Sequence, residues 1–291
     1  RMECQMLSGL WGETVSLQVA YTGDFVMRER LDVRVVSELA EHVHVRTVEM
    51  VPVGRATNGI VDDNYLKTTS GLYPDLLKDL KDGKVIVYSR QWRSLWVDVD
   101  ITNEIPAGEY EIELQLIKEG EVVCSAKQKV TVIGTELPKL DIMHTEWMHA
   151  DCLADYYHVD VFSEEHWKIL ENYFKEYVKR GCNMMLTPLF TSPLDTAVGL
   201  ERTTTQLIKV EVVKGGYRFD FSELKRWIDL CKKCGIEYYE MSHLFSQWGA
   251  KYAPKVVAEV DGKEEKIFGW YTSAVGEYTR FLKAFLPQLI E

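Results

Sequence analysis

Three segments of the sequence combine aromatic side chains with carboxylate, imidazole or guanidinium groups. The first runs from Thr145 to Tyr157, the second from Thr187 to Thr203, and the third from Ser242 to Gly249. A pyranose offers an apolar face that stacks on Trp or Tyr, and hydroxyl groups that need both hydrogen-bond donors and acceptors. Any one of these residues could instead be a packing aromatic or a solvated charge. Their agreement in three segments predicts a sugar site.

Other chemistries find less support in the residue spacing. His144, His149, Asp151 and His243 could be metal ligands, but no H-E-x-x-H spacing accompanies them. The pair Cys231 and Cys234 has no second pair and lies in a helical pattern, so we interpret it as structural. Neither a G-x-G-x-x-G motif nor a P-loop occurs, which argues against dinucleotide and NTP chemistry. We therefore expect no cofactor.

A repeated strand, polar loop and helix is expected to position the three segments. The predicted strands are Leu140–His144, Cys182–Leu189 and Ile236–Leu244. The predicted helices begin at Ser163 and Ser222, each acting as the N-cap, and a third helix covers Ser273–Glu291. Hairpin inserts are predicted at Thr205–Phe221 and Lys255–Phe268. In β/α folds the working residues lie on the loops at the carboxyl ends of the strands, which is where these segments fall.

The residues before Pro138 follow a different pattern, in which apolar and polar side chains alternate. Period-two alternation is typical of half-buried antiparallel strands. Seven such strands are predicted: Glu13–Tyr21, Leu31–Val36, His42–Val51, Lys84–Tyr88, Ser94–Ile101, Glu109–Ile117 and Glu121–Val132. The predicted fold is a β-sandwich, immunoglobulin-like, over residues 1–138, followed over residues 139–291 by an incomplete (β/α)8 (TIM) barrel of about three β/α units.

Composition limits the partners. The 291 residues are 46% apolar and 27% charged, and no apolar run approaches the ~20 residues of a membrane helix. A net charge of −11 is unsuited to neutralising nucleic-acid phosphates, so we expect neither nucleic acid nor membrane as a partner. Six scattered cysteines and the lack of a signal-peptide pattern favour a reducing, cytoplasmic compartment, but the sequence leaves secretion open. The sequence leaves the oligomeric state open.

Several runs in these segments resemble glycoside hydrolase family 123, the β-N-acetylgalactosaminidases and their relatives. The runs are Glu146–Asp151, Asp155–Tyr157, Phe162–Trp167, Leu186–Pro188, Pro193–Thr196, Ser242–Phe245 and Gln247–Ala250. Upstream, Ser94–Trp96 and Ile105–Tyr110 look like the β-sandwich that precedes the barrel in that family. The resemblance implies a retaining enzyme that removes terminal β-linked N-acetylhexosamine, with the substrate's own acetamido oxygen as the nucleophile.

In that family an adjacent Asp-Glu pair at the end of the fourth barrel strand supplies the two catalytic carboxylates. One orients the acetamido group, and the other acts as general acid and base. The chain contains no adjacent Asp-Glu pair. We therefore expect the pair beyond residue 291, a chain that is a fragment of a longer enzyme, and no catalytic residue or activity in residues 1–291 alone.

The resemblance leaves a partial substrate site, which would bind an N-acetylhexosamine-containing glycan. In this hypothesis Trp147 and Trp248 wall or stack on the sugar. The residues expected to bind hydroxyl groups are His149, Asp151, Asp195, Arg202 and His243. Two alternatives stay open: a non-catalytic carbohydrate-binding relative, and a metal-dependent TIM-barrel hydrolase or isomerase. The sequence does not separate GalNAc from GlcNAc, although the family favours GalNAc.

Overall fold

The structure is a computed structural model that describes residues 6–24, 26–55, 57, 59, 64–139, 141–194, 196–247 and 249–291. The chain divides into two compact units, Arg1–Lys139 and Leu140–Glu291. Across the described residues the architecture is rich in β-strands and includes four α-helices.

Two sheets make up the described part of the first unit. Their strands are β1 (Leu7–Trp11), β2 (Thr14–Tyr21), β3 (Glu29–Val36), β4 (Val43–Val53), β5 (Gly71–Asp79), β6 (Lys84–Val87), β7 (Arg93–Asp100), β8 (Gly108–Lys118) and β9 (Glu121–Glu136). The five-stranded sheet has the order β1-β9-β8-β3-β6, and the four-stranded sheet has the order β2-β7-β4-β5. A 3-10 turn at Ala40–His42 precedes β4.

The core of the first unit joins the apolar faces of these sheets. Leu31 and Val85 from the five-stranded sheet are in one buried cluster with Leu95 and Val97 from the four-stranded sheet. All seven predicted strands are present. They could be predicted because a strand that buries one face alternates apolar and polar residues in sequence. The alternation did not reveal β1 and β5. Strand β5 lies at a sheet edge with most residues exposed, so it has no buried face to impose a pattern.

The second unit contains four helices and two sheets in its described residues. The elements are α1 (Ala150–Tyr157), α2 (Glu164–Lys179), β10 (Met184–Thr187), β11 (Lys209–Val213), β12 (Gly216–Asp220), α3 (Ser222–Cys234), β13 (Tyr238–Met241), β14 (Val256–Val260), β15 (Lys263–Phe268) and α4 (Glu277–Ile290). Strands β10 and β13 pair in parallel. The second sheet has the order β12-β11-β14-β15.

The predicted β/α units are confirmed in part. Strands β10 and β13 and helices α2, α3 and α4 fall within the predicted ranges. The predicted strand Leu140–His144 is wrong for its described residues: residues 141–144 form no strand, although the His144 carbonyl accepts hydrogen bonds from the N–H groups of Asn183 and Met184. Leu140 lies outside the described residues. Helix α1 was not predicted, because its eight residues are too few to show a helical period.

The residues at the ends of α2 and α3 show how these helices begin and end. Ser163 caps α2 as predicted, since its hydroxyl accepts the N–H of His166 at 3.2 Å. The prediction for α3 was wrong: Ser222 is the first helical residue, and the Asp220 carboxylate accepts its N–H at 2.8 Å. Helix α3 ends at Gly235, whose φ of +97° is a left-handed conformation that a side chain would disfavour.

Both predicted hairpins are present, as β11–β12 and β14–β15. They also join each other, because Glu211 of β11 and Glu259 of β14 form a parallel bridge. The core of the second unit lies under them. Phe281 of α4 packs against Phe219 and Phe268 of the two hairpins, with ring centroids 5.5 and 5.2 Å away.

Candidate functional site

The candidate site is formed by three loops at the carboxyl ends of β10 and β13 and before α1. We call them the first loop (residues 141–149), the second loop (residues 188–208) and the third loop (residues 242–255). The second loop follows β10, and the third follows β13. The N–H of Ser242 donates to the carbonyl of Thr187 at 2.9 Å, so the two loops leave the sheet side by side.

Tyr177 of α2 holds the first loop against β10. Its hydroxyl accepts the N–H of Glu146 at 2.9 Å and lies 2.6 Å from the carbonyl oxygen of Met184. Burial raises the pKa of this phenol, so it stays protonated and can donate to that carbonyl. The first loop is thereby fixed in place although it is not a strand.

Arg202 of the second loop forms a nearly buried ion pair with Asp151 of α1. Its Nε and one terminal nitrogen donate to the two carboxylate oxygens at 2.7 and 3.1 Å. The same guanidinium lies 3.3 Å from the carbonyl oxygen of Leu194 and 3.1 Å from the sulfur of Cys152. The side chains are only 11% and 8% exposed. We call this bidentate pair the clamp; it fastens the second loop to α1.

Burial and the carboxylate act in opposite directions on the clamp arginine. Burial lowers the pKa of Arg202, while the hydrogen bond and charge of Asp151 raise it, and the net shift is upward. The guanidinium is therefore charged throughout the physiological range. Removing only one partner would leave a largely buried charge without compensation.

Further contacts fix the second loop on both sides. The hydroxyl of Thr203 donates to the Asp155 carboxylate at 2.9 Å. The Gln206 side chain bonds both backbone groups of Val257, donating to its carbonyl at 2.9 Å and accepting its N–H at 3.1 Å. Glu201 accepts a bond from Lys266, which lowers the pKa of the Glu201 carboxyl. The second loop is thus bound to the hairpin β14–β15, which follows the third loop.

A more open group lies where the first loop meets β13. The indole Nε1 of Trp147 donates to Glu240 at 2.9 Å, and the Trp147 ring lies edge-on to His243 at a centroid distance of 5.4 Å. Trp147 is 47% exposed, and His243 is exposed as well. We call these three residues the aromatic face. Glu240 fixes the indole by its edge, which leaves ring surface open to a ligand.

His166 of α2 supports the start of α1. Its Nδ1 accepts the N–H of Phe162 at 2.9 Å, so the ring proton lies on Nε2, which donates to the Ala150 carbonyl at 3.0 Å. The side chain is completely buried, and burial lowers its pKa. A neutral imidazole therefore holds the backbone next to the clamp residue Asp151.

The seven residues expected to bind sugar separate into three groups. Trp147 and His243 lie together on the aromatic face. Asp151 and Arg202 bind each other in the clamp, and half-buried His149 precedes α1 beside them. Asp195 and Trp248 lie outside the described residues. The direct role of each in sugar binding stays a prediction.

The space around the clamp is too small for a sugar ring. A cavity of about 10 Å³ lies between His149, the clamp residues, Ser192 and Ser242. That is the size of one water molecule. The clamp therefore offers a ligand less room than the half-exposed ring of Trp147 does.

Three contributors escaped the sequence analysis, namely Tyr177, Gln206 and Glu240. Glu240 gave a signal, since it is a carboxylate in the middle of the short strand Tyr238–Met241. Tyr177 is one of several aromatic residues in α2, and Gln206 carries no local pattern, so neither gave a signal of its own. Among the described residues, no group of three or more His, Cys, Asp or Glu side chains could hold a metal ion, and no helix is long and apolar enough to span a membrane.

Residues 147–291 match a family model described as "Glycoside hydrolase 123, catalytic domain". The chain is also similar to a solved structure of a family 123 glycoside hydrolase from Clostridium perfringens, described in terms of glycolipid glycan hydrolysis, with a TM-score of 0.70 and 16% sequence identity. That similarity covers 99% of this chain and 52% of that chain. The chain thus spans about half the length of that protein and shares its fold over the matched part.

Another solved structure, the N-terminal domain of PorA, is matched at 10% identity over 46% of this chain and 92% of that one. Its TM-score of 0.25 carries no argument about fold or function. None of the curated proteins compared with the chain matches it.

Proposed function

The chain belongs to glycoside hydrolase family 123 through residues 147–291, and from this we propose that it carries the sugar-binding part of a glycosidase that removes terminal β-linked N-acetylgalactosamine. The substrate is a glycan. The structurally similar clostridial protein is described in terms of glycolipid glycan hydrolysis, which supports a glycan as the target.

The proposed reaction is substrate-assisted hydrolysis with retention of configuration. The acetamido oxygen of the substrate attacks the anomeric carbon as the glycosidic C–O bond breaks, one carboxylate stabilises the resulting oxazolinium, and a carboxylic acid protonates the leaving oxygen. The same group, now a carboxylate, then takes a proton from a water molecule that attacks the anomeric carbon and opens the oxazolinium. Residues 1–291 contain no adjacent Asp-Glu pair to fill these two roles. We therefore propose that these residues bind the sugar without hydrolysing it.

The observation that carries the sugar-binding proposal is the geometry of the aromatic face. Glu240 holds the indole N–H of Trp147, His243 makes a T-shaped contact with the ring, and about half of the Trp147 surface is exposed. An indole held in this way can stack on the apolar face of a pyranose without losing much rotamer freedom. The exposed His243 can exchange hydrogen bonds with sugar hydroxyl groups.

We assign the clamp a different task. Asp151 and Arg202 already satisfy each other, and the adjoining cavity has room for one water molecule. We propose that they position the second loop, while the aromatic face makes the direct contacts. His149, Asp195 and Trp248 complete the proposed sugar site.

At the level of fold, we propose that residues 1–138 are an immunoglobulin-like β-sandwich and that residues 139–291 are the opening part of a (β/α)8 barrel. The two facing sheets of the first unit and the parallel pair β10–β13 support this assignment. The 0.70 TM-score to the clostridial protein supports a shared architecture.

A ligand panel tests the function. Binding of GalNAc, GlcNAc and galactose to the chain is measured by saturation-transfer NMR, and release of nitrophenol from the β-GalNAc glycoside is followed with the same preparation. We expect GalNAc to bind more tightly than galactose, and no release of nitrophenol. Absence of binding to all three sugars would refute the sugar site, whereas turnover would refute only the proposed inactivity.

A further inference from the structure

A cleft of about 530 Å³ opens among the described residues of the first unit. Its walls come from β3 and β6 of one sheet and from β4 and the end of β5 of the other. Strands β5 and β6 are edge strands of their sheets, so the cleft is the open side between them. The volume falls within the range of about 300–1,000 Å³ that is typical of small-molecule sites.

The charge of the cleft is opposite to that of the whole chain. Three carboxylates line it, Glu29, Glu49 and Asp79. The cations that line it are twice as many: Arg28, Arg30, Lys78, Lys81, Lys84 and Arg93. The chain as a whole carries −11. An excess of cations in a concave site of an acidic protein attracts an anionic ligand.

Among the described residues, only two of these six cations are paired with a carboxylate. Arg30 and Lys84 form ion pairs with Asp82 and Asp32 at 3.0 and 3.1 Å. In the described part of the chain, by contrast, Arg28, Lys78 and Lys81 have no carboxylate within ion-pair distance. Three positive charges around one cleft therefore lack a partner that the fold supplies.

Two tyrosines give the cleft aromatic surface. The guanidinium of Arg93 lies over the Tyr88 ring, 5.3 Å from its centroid. Tyr21 is the cross-strand partner of Arg93 and is largely buried, which raises the pKa of its phenol to about 12 while Arg93 opposes the shift. The Thr47 hydroxyl donates to Glu49 at 2.8 Å, so one cleft carboxylate is held in place.

A ligand that fits this lining needs both a negative group and hydroxyl donors. A simple anion could face the cations but would leave the carboxylates of Glu49 and Asp79 without donors, and a polyanion that covered the whole cleft would be repelled by them. A sugar with one acidic group satisfies both kinds of wall, because its hydroxyls can donate to the carboxylates while its acidic group faces the cations. We propose that the cleft binds an acidic saccharide, separately from the loops of the second unit.

Charge reversal of the two unpaired lysines tests the proposal. The full chain, a Lys78→Glu, Lys81→Glu variant and a Lys67→Glu, Lys129→Glu control are titrated calorimetrically at low salt. The control makes the same charge change at exposed lysines of the first unit that do not line the cleft. The probes are a sialylated trisaccharide, a sulfated disaccharide, lactose and sodium sulfate, so that carboxylate and sulfate groups are compared directly.

We expect at least one acidic sugar to bind at least tenfold more tightly than lactose or sulfate. The Lys78→Glu, Lys81→Glu variant should lose at least tenfold in affinity, and the control should stay within twofold. An Arg93→Gln variant should also weaken binding, because it removes the charge beside Tyr88. Equal losses in both double variants, sulfate binding as tight as the sugar, or no acidic sugar bound would each overturn the proposal.

Discussion

The clamp and the aromatic face are built from the same kinds of residue but differ in what remains available to a ligand. In the clamp, Asp151 and Arg202 point their polar atoms at each other and are about nine-tenths buried. On the aromatic face, Trp147 uses only its N–H, and its ring stays half exposed. The first arrangement holds the loops together, and the second leaves surface for binding.

This difference teaches how burial divides roles within one loop cluster. A charged side chain that is buried and paired contributes mainly through the position it imposes, because its hydrogen-bonding groups are already used. An exposed aromatic ring that is fixed by one edge contributes mainly through the surface it offers. Substitutions should therefore separate stability from affinity, and the following predictions are ordered by the size of the expected effect.

The largest effect is expected from Asp151→Asn. The substitution keeps the shape of the side chain but leaves the nearly buried guanidinium of Arg202 without a charged partner. The free energy of unfolding should fall by about 3–5 kcal/mol, measured by urea denaturation.

The matched control is Asp155→Asn, which makes the same change one turn later in α1 at an exposed carboxylate that binds Thr203. It should cost about 1 kcal/mol or less. Equal losses for the two variants would show that the clamp is not desolvated enough to differ from a surface contact.

A combined Asp151→Leu, Arg202→Met variant sharpens the same comparison. It removes both charges, so no unpaired ion remains, and it should recover more than half of the stability lost in Asp151→Asn. If the clamp only positions the second loop, GalNAc affinity should stay within about threefold of the parent chain. Loss of binding in a stable double variant would instead make the clamp residues direct ligands.

Trp147→Ala should have the opposite profile. Removing the exposed ring should weaken GalNAc binding by about tenfold, or about 1.4 kcal/mol, with a smaller change in unfolding free energy. Trp92→Ala provides the control, since Trp92 is 72% exposed in the first unit and should leave GalNAc binding unchanged. NMR titration measures both variants. A large fall in the unfolding free energy of Trp147→Ala, without loss of GalNAc affinity, would reverse the assigned roles.

Glu240 tests whether the orientation of the indole matters. Glu240→Gln keeps an oxygen that can accept the Trp147 N–H, whereas Glu240→Ala removes it. Binding of GalNAc should fall several-fold in the Ala variant and by less than twofold in the Gln variant. Equal losses would indicate that the charge of Glu240, rather than the ring position, contributes to binding.

The smallest effect is expected in the pH dependence of folding stability, through His166, which supports the start of α1. Burial lowers the pKa of His166 in the folded protein, so the unfolded chain binds the proton more readily. Stability from the neutral ring is complete above the unfolded value of about 6.5 and is lost as pH falls below it. Melting temperatures between pH 7.5 and 5.5 should show this slope, and His166→Gln should reduce it.

The sequence predicted elements well wherever one face is buried. Strands of the first unit and helices α2 and α3 show this, because burial of one side forces a period of two or of 3.6 on the residues. It failed at β5, at the eight-residue α1 and at the first predicted strand, where the elements are exposed, short or held by side chains. Tyr177 and Asn183 fix the first loop by side-chain hydrogen bonds to its backbone, and such bonds leave no periodic trace.

The site was predictable in residue type but not in pairing. Composition of the loops singled out Trp147, Asp151, Arg202 and His243 without indicating that two of them bind each other. Fifty-one positions separate Asp151 from Arg202, and their contact depends on how the second loop folds back over α1. Glu240 was missed because a lone carboxylate in a strand is more often a solvated residue than a partner of an indole.

The junction of the two hairpins limits how this scaffold can be altered. β/α folds usually change specificity one loop at a time, because each loop can be replaced without its neighbours. Here β11 bridges to β14, and Gln206 bonds to Val257, so the hairpins of the second and third loops form one sheet. A chimaera that exchanged only one hairpin would lose these contacts between the two hairpins. Recombination that preserves the scaffold therefore has to exchange both hairpins together.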